Sequence, residues 1–244
     1  MAYPLSRLVI PAILISVAFQ LHAQFPQIPQ IPGLGKGSNS ASNLSEPQIA
    51  SGLKEALSVG TRKAVTQVAR PGGYLENTAI RILLPPNLRS AEKALRVVGQ
   101  GPKIGDFIAS MNHAAESAAP EAANIFAGAV KEMTIDDARK LLNGDNTAIT
   151  DYFKSKTSAQ ISTPFRPHIE AAMSSNGVTQ KYQALAGQAP KLPFLGSSNL
   201  DINTYVVNKA LDGLFFMLGQ QELQIRTNPA ARSTALLKQV FTSH

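Results

Sequence analysis

Cysteine and tryptophan are both missing from the 244 residues, and aromatic residues make up only 6% of the chain. Without cysteine there is no disulfide scaffold, no thiolate metal site, no cysteine nucleophile and no lipid-bearing cysteine. Scarce aromatics argue against carbohydrate platforms and base-stacking surfaces. Charged residues are also few, at 16%, whereas hydrophobic residues reach 44%, enough for a full core, which excludes a wholly disordered chain. No Gly-x-Ser-x-Gly elbow, phosphate-cradling loop or dinucleotide fingerprint occurs. His113, His168 and His244 are widely spaced with no His-x-x-x-His pair, so neither a metal site nor a cofactor is expected.

What is present begins with an address. Residues 1–23 read as a secretory signal peptide. Arg7 and the amino terminus give a positive start, and Leu8 to Leu21 is an apolar run broken by Pro11, Ser16 and Gln20. The run is shorter than the roughly 18 residues of a spanning helix. Cleavage is expected between Ala23 and Gln24, with Ala18 as the alternative site and an uncleaved anchor as the alternative fate. No later stretch is long and apolar enough to span a bilayer, so the mature chain is expected to carry no transmembrane anchor. In 24–44, prolines at 26, 29 and 32 precede Gly33, Gly35 and Gly37, the pattern of a polyproline II stretch followed by a flexible Gly/Ser tail. This reads as a spacer, with a proline-rich recognition motif as the alternative.

Ser45 opens the body, with Gln48 placed to complete a capping box. Ile49, Leu53, Ala56, Leu57, Gly60, Ala64 and Val68 then recur at helical spacing, up to a stop at Arg70-Pro71-Gly72-Gly73. Ile80, Ile82 and Leu84 alternate, which predicts an extended connector before Pro85-Pro86. Further amphipathic helices are expected from Leu88, around Phe107 and Met111, after Pro120, after Thr134, and from Ile149 to Ile161. Pro164 and Pro167 are expected to interrupt before a short helix over Ile169–Met173. A loop is expected over 187–200. Asp201 is expected to cap the longest helix, and Asn228-Pro229 to open the last one. The expected fold is all-α: one compact domain over 45–242, built from six to nine helices.

Several stretches carry a resemblance. They are Gly52-Leu53-Lys54-Glu55-Ala56-Leu57 with Gly60-Thr61, Gly73-Tyr74-Leu75 through Ile80 to Pro85, and Met111-Asn112 with Ala114-Ala115-Glu116. Met133-Thr134 through Asp137-Ala138-Arg139, Lys209 to Phe215, and Ile225-Arg226 with Asn228 to Arg232 complete the set. Together they span 45–242 and resemble the bacterial domain of unknown function 4197 family. The resemblance implies an exported helical bacterial protein, no known activity and no catalytic residues to carry over.

Candidate site residues come from the pattern itself. Asn112 and Glu116 share a helix face, and a partly buried glutamate is either a general acid or a structural bond between helices. Lys209 and Asp212 are spaced to pair beside Gly213, a glycine inside a helix that signals close packing or an approaching ligand. Arg226 and Arg232 flank the Asn228-Pro229 turn, placed to hold helix-end carbonyls or an anion. Phe215, Phe216 and Met217 point in three helical directions, so at least one leaves the core face.

Formal net charge is +7, distributed unevenly: residues 45–100 carry eight basic and four acidic side chains, and residues 101–150 carry four basic and seven acidic. Arg62, Arg70, Arg81, Arg89 and Arg96 lie in the first block. They predict either an anion-binding surface or a basic segment docked on an acidic one. Nucleic acid is not expected, because no aromatics interleave the basic residues. The leading expectation is a non-enzymatic binding or interaction protein of the cell envelope, periplasmic or released outside. Its partner would be an envelope protein, a lipid or a cell-wall anion. The alternatives are a cell-wall hydrolase or lyase acting through Glu116, and a structural or stress-related envelope protein.

Overall fold

Ser45 opens the first helix by the chemistry its sequence offers: Gln48 Oε1 accepts from the Ser45 N–H and hydroxyl, both at 2.9 Å. This computed structural model describes residues 44–175 apart from 98, positions 177, 180, 181, 183 and 184, and residues 201–242 apart from 233. The expected signal peptide, its cleavage point at Ala23–Gln24, the linker up to 43, the loop at 187–200 and His244 lie outside the described residues. Leu44, the last linker residue, is described and packs against the core.

The chain runs through α1 (Glu46–Ala69), α2 (Pro86–Val97), α3 (Gly101–Ala118), α4 (Ala122–Glu132), α5 (Ile135–Leu142), α6 (Ala148–Ser175), α7 (Ile202–Thr227) and α8 (Ala235–Thr242), with 3₁₀ turns at Ala119–Glu121 and Pro229–Ala231. Among the described residues there is no strand. The fold is all-α. Between α1 and α2 lies an irregular segment, residues 70–85, which we call the strap.

The helices form because apolar residues recur on one face and polar caps close the ends. Along α1, Leu53, Ala56, Leu57, Ala64, Val65 and Val68 are buried at spacings of three and four. Burying a leucine such as Leu53 stabilises by about 1.5–3 kcal/mol. Small residues on the same face (Ala50, Gly52, Gly60) let α7, α4 and α5 approach closely. Helices α6 and α7 make the most extensive pairing. Phe126 of α4 stands edge-on to Phe153 of α6 at 5.4 Å and to Phe215 of α7 at 6.1 Å, tying three helices at one point. Thr134 Oγ1 accepts from the Asp137 N–H at 3.0 Å and the Asp137 carboxylate accepts from the Thr134 N–H at 3.1 Å, closing the start of α5. Asp201 Oδ1 accepts from Asn203 and Thr204 N–H at 3.0 and 3.2 Å at the start of α7.

Three expectations are corrected. The helix that Asp201 caps is not the longest among the described residues: it has 26 residues and α6 has 28, because α6 continues past two prolines. Pro164 and Pro167 do not break the chain; α6 runs through both. Each proline frees the carbonyl four residues back. Those residues, Gln160 and Thr163, are exposed, so the freed carbonyls lie on the solvent side of the helix. On the other face Ile161, Phe165, Ile169 and Met173 form one buried stripe through the prolines, and that packing holds the helix whole. Nor does Asn228-Pro229 open the last helix. Asn228 does cap, accepting from Ala230 N–H at 3.0 Å, but it caps a single 3₁₀ turn. Arg232 then turns its guanidinium back onto the carbonyls of Ile225 and Arg226, and α8 starts only at Ala235.

Candidate functional site

Backbone turn bonds satisfy part of the strap, from Glu76 N–H to the Gly72 carbonyl at 3.0 Å and from Arg81 N–H to the Asn77 carbonyl at 2.8 Å among them, and side chains hold other backbone groups along it. Gly72 sits at φ +77°, a conformation other residues strain to adopt, and turns the chain out of α1. Immediately after it, Glu116 Oε1 accepts from the N–H groups of Tyr74 and Leu75 at 3.0 and 3.1 Å. One turn earlier on α3, Asn112 faces Ile82: its Oδ1 accepts from the Ile82 N–H at 2.8 Å and its Nδ2 donates to the Ile82 carbonyl at 2.8 Å. The carboxamide thereby stands in for a neighbouring strand. Its second N–H goes to the Ile108 carbonyl at 2.7 Å, so this fully buried side chain has a partner for its oxygen and for each amide hydrogen.

Helix α7 holds the strap from the other side. The Tyr74 hydroxyl donates to the Ala210 carbonyl at 2.6 Å, and the Tyr74 ring lies against Gly213. A Cβ at 213 would stand 2.5 Å from the ring, so the glycine inside α7 is there for close approach of the strap. Burial, with the Glu116 carboxylate as a second cause, pushes the Tyr74 phenol far above its ordinary range. Tyr205 donates to the Leu83 carbonyl at 3.1 Å. Burial pushes its phenol up, while the Arg89 and Lys209 cations pull the other way.

Clamping an extended segment this way decides what it exposes. Ile80, Ile82 and Leu84 point inward and are buried; Arg81 and Leu83 point outward. They meet one face of α7 formed by Tyr205, Lys209, Asp212, Gly213 and Phe216. With Ala79, Ile80 and Arg89, these residues line an open groove of about 310 Å³. Its chemistry is mixed. Arg81, Arg89 and Lys209 bring three cations against the single carboxylate of Asp212, which pairs with Lys209 at 2.9 Å. Neither Arg81 nor Arg89 pairs with a carboxylate among the described residues. Leu83 is 47% exposed and Phe216 44% exposed, high for such large apolar side chains.

The six candidate residues therefore fall in three places. Lys209 and Asp212 line the groove. Asn112 and Glu116 hold the strap that forms one wall; Glu116 has no free oxygen, because Oε2 bonds His113 Nδ1 at 2.9 Å. Arg226 and Arg232 sit at the end of α7 and close on carbonyls: Arg226 on Leu141 and Leu142, Arg232 on Ile225 and Arg226. Arg232 also stacks 5.6 Å from the Phe241 ring. Of the phenylalanine run, Phe215 is in the core, Met217 is half-buried and Phe216 is in the groove. His168 pairs with Glu121 at 3.3 Å, and no group of three metal-ligating side chains occurs among the described residues.

One residue escaped the sequence reading. Glu222 of α7 is buried, and its carboxylate accepts from the Ile149 and Thr150 N–H groups at 3.0 and 2.9 Å and from Arg226 at 3.1 Å. It caps α6 from 73 residues away. The available signal was its spacing: four residues after Leu218 and three before Ile225, it sits on the apolar face of its helix.

The model of the family described as a protein of unknown function, DUF4197, matches residues 43–242. The chain belongs to the DUF4197 family. The matched span begins at the end of the linker and closes at the last residue of α8, so the strap, its clamps and the groove all lie within the DUF4197 region. No curated protein and no solved structure matches this DUF4197 chain.

Proposed function

We propose that this protein is an exported, non-enzymatic binding protein of the cell envelope, and that the groove between the strap and α7 is its binding site for an anionic ligand. One observation carries the reading. Three cations line a concave surface with one carboxylate, and two of them, Arg81 and Arg89, have no carboxylate partner among the described residues. Guanidinium groups left without a carboxylate at the mouth of a groove suit carboxylate or phosphate oxygens, which they meet with two parallel N–H bonds. The volume, about 310 Å³, is at the small end for ligand sites and fits a compact anionic group. The absence of a catalytic motif favours binding over chemistry, and so does the commitment of both Glu116 oxygens to the strap and His113.

Native mass spectrometry on the chain purified gently from its host tests this. The expected result is an additional anionic mass that leaves on unfolding and is absent from Arg81→Ala/Lys209→Ala. A ligand-free mass for the wild type, or an adduct that survives both substitutions, overturns the reading.

A further inference from the structure

The reading above leaves the two large apolar side chains of the groove unexplained. A small anion in water needs cations around it; it does not need Leu83 and Phe216 held out beside them. Leu83 is fixed outward because Ile82 and Leu84, on either side of it, are buried, and Asn112 locks Ile82 at both its backbone groups. Tyr205 then fixes the Leu83 carbonyl. Phe216 is fixed outward because its neighbours Phe215 and Leu214 face the core. Both side chains thus face outward, both line one groove, and the same groove carries Arg81, Arg89 and Lys209. Apolar tips set among cations match the chemistry of one kind of surface, in which phosphate lies directly above hydrocarbon.

Resting on the reading of the groove as an anion site, we infer that this face docks the protein on an anionic phospholipid surface. A lipid phosphate sits among Arg81, Arg89 and Lys209, and Leu83 and Phe216 enter the boundary between headgroup and acyl chain. The groove is too small to extract a whole lipid, so the contact is made at the bilayer rather than by carrying the molecule away. No described helix is long and apolar enough to cross a membrane. The electrostatic part weakens with salt, while the apolar part persists.

Flotation with vesicles of phosphatidylglycerol in phosphatidylcholine, against phosphatidylcholine alone, tests the inference. Every variant is made in the same full chain, so any contribution from residues outside the groove is common to all. Wild type is expected to float with the anionic vesicles and not with the neutral ones. Leu83→Ser/Phe216→Ser should lower flotation roughly ten-fold, the order expected for withdrawing two apolar side chains from an interface. Its binding of soluble glycerol phosphate, followed by chemical shift, should fall much less than its flotation. Arg81→Glu should lower both, by roughly ten-fold on vesicles. All three substituted side chains are exposed, and an unchanged thermal midpoint shows that the fold is kept. Equal flotation of wild type and the apolar double variant, or equal flotation on neutral vesicles, overturns membrane docking. If wild type binds glycerol phosphate but ignores vesicles, docking fails and the anion groove stands. If it binds neither, both fail.

Discussion

Glu116 on α3 and Glu222 on α7 do the same job in different parts of the molecule. Each is buried, each accepts two consecutive backbone N–H groups from a segment distant in sequence, and each keeps a basic side chain on its own helix. They differ in what they hold and in how tightly the basic partner is enclosed. Glu222 holds the first turn of α6, a regular helix at the centre of the packing. Its partner Arg226 is itself only 10% exposed and reaches on to the Leu141 and Leu142 carbonyls. Glu116 holds the irregular strap, and its partner His113 is 49% exposed. A closed network around Glu222 stabilises the body. An open-edged one around Glu116 shapes a wall of the groove. The same carboxylate chemistry therefore serves stability in one place and site geometry in the other.

Removing Glu222 should have the largest effect. Glu222→Ala strands two helix-end N–H groups and leaves a nearly buried guanidinium without its carboxylate, so a loss of about 3–5 kcal/mol is expected in urea unfolding. A loss below about 1 kcal/mol would mean that water replaces the carboxylate, and that the network is not closed. Glu116→Ala is expected to cost less, about 1–3 kcal/mol, because the strap it releases borders solvent. The sharper reading is local. Amide exchange at Tyr74, Leu75 and Ile82 should accelerate while Ile149 and Thr150 keep their protection. If both sets accelerate together, the strap and the body are one cooperative unit and the contrast dissolves.

The strap is also held from α7, and Gly213→Ala probes that side. The new methyl meets the Tyr74 ring at 2.5 Å and the Ile80 side chain at 3.1 Å, both of them buried and hemmed in. Overpacking of this kind costs about 1–3 kcal/mol. The strap must lift from α7, so anion binding in the groove should weaken in the same variant. Retained binding would show that Tyr74 yields without moving Arg81 and Leu83.

Local signals carried much of this architecture. The Gln48 side chain reaching back to Ser45 and the Thr134 and Asp201 caps act on backbone two or three residues away, so they are legible along the chain. The alternation of Ile80, Ile82 and Leu84 marked an extended connector before Pro85-Pro86. The run at Phe215 to Met217 showed that one aromatic had to leave the core. The continuity of α6 was hidden, because a stripe of buried side chains outweighs two prolines whose freed carbonyls face water. Glu222 was hidden for a related reason: the donors it satisfies are 72 and 73 residues away. The groove itself needs α7 brought against the strap, over 120 residues apart in sequence, as the Tyr205–Leu83 bond records.

Asp201 supplies the control for both glutamates. It caps α7 as Glu222 caps α6, through two consecutive backbone N–H groups, but from the adjacent position and in water. Its hydrogen bond from the Thr204 side chain, first, and those from the Thr204 and Asn203 backbone hold the carboxyl below its ordinary value of 3.8. A carboxylate with a lowered folded-state pKa contributes stability that is fully present above that ordinary value and is lost as pH falls through the folded value. The thermal midpoint of the wild type should therefore fall between pH 5 and pH 3, with Asp201 supplying a small share of the slope. Asn caps a helix about as well as Asp but does not titrate, so Asp201→Asn should lose slightly less midpoint over the same window. The difference stays small because solvent screens an exposed carboxylate. Were Asp201→Asn to lower the midpoint markedly at pH 7, where the carboxylate is fully ionised, the cap would depend on the Asp201 contact with Arg166 at 3.8 Å rather than on backbone amides, and Asp201 would no longer be the exposed counterpart of Glu222.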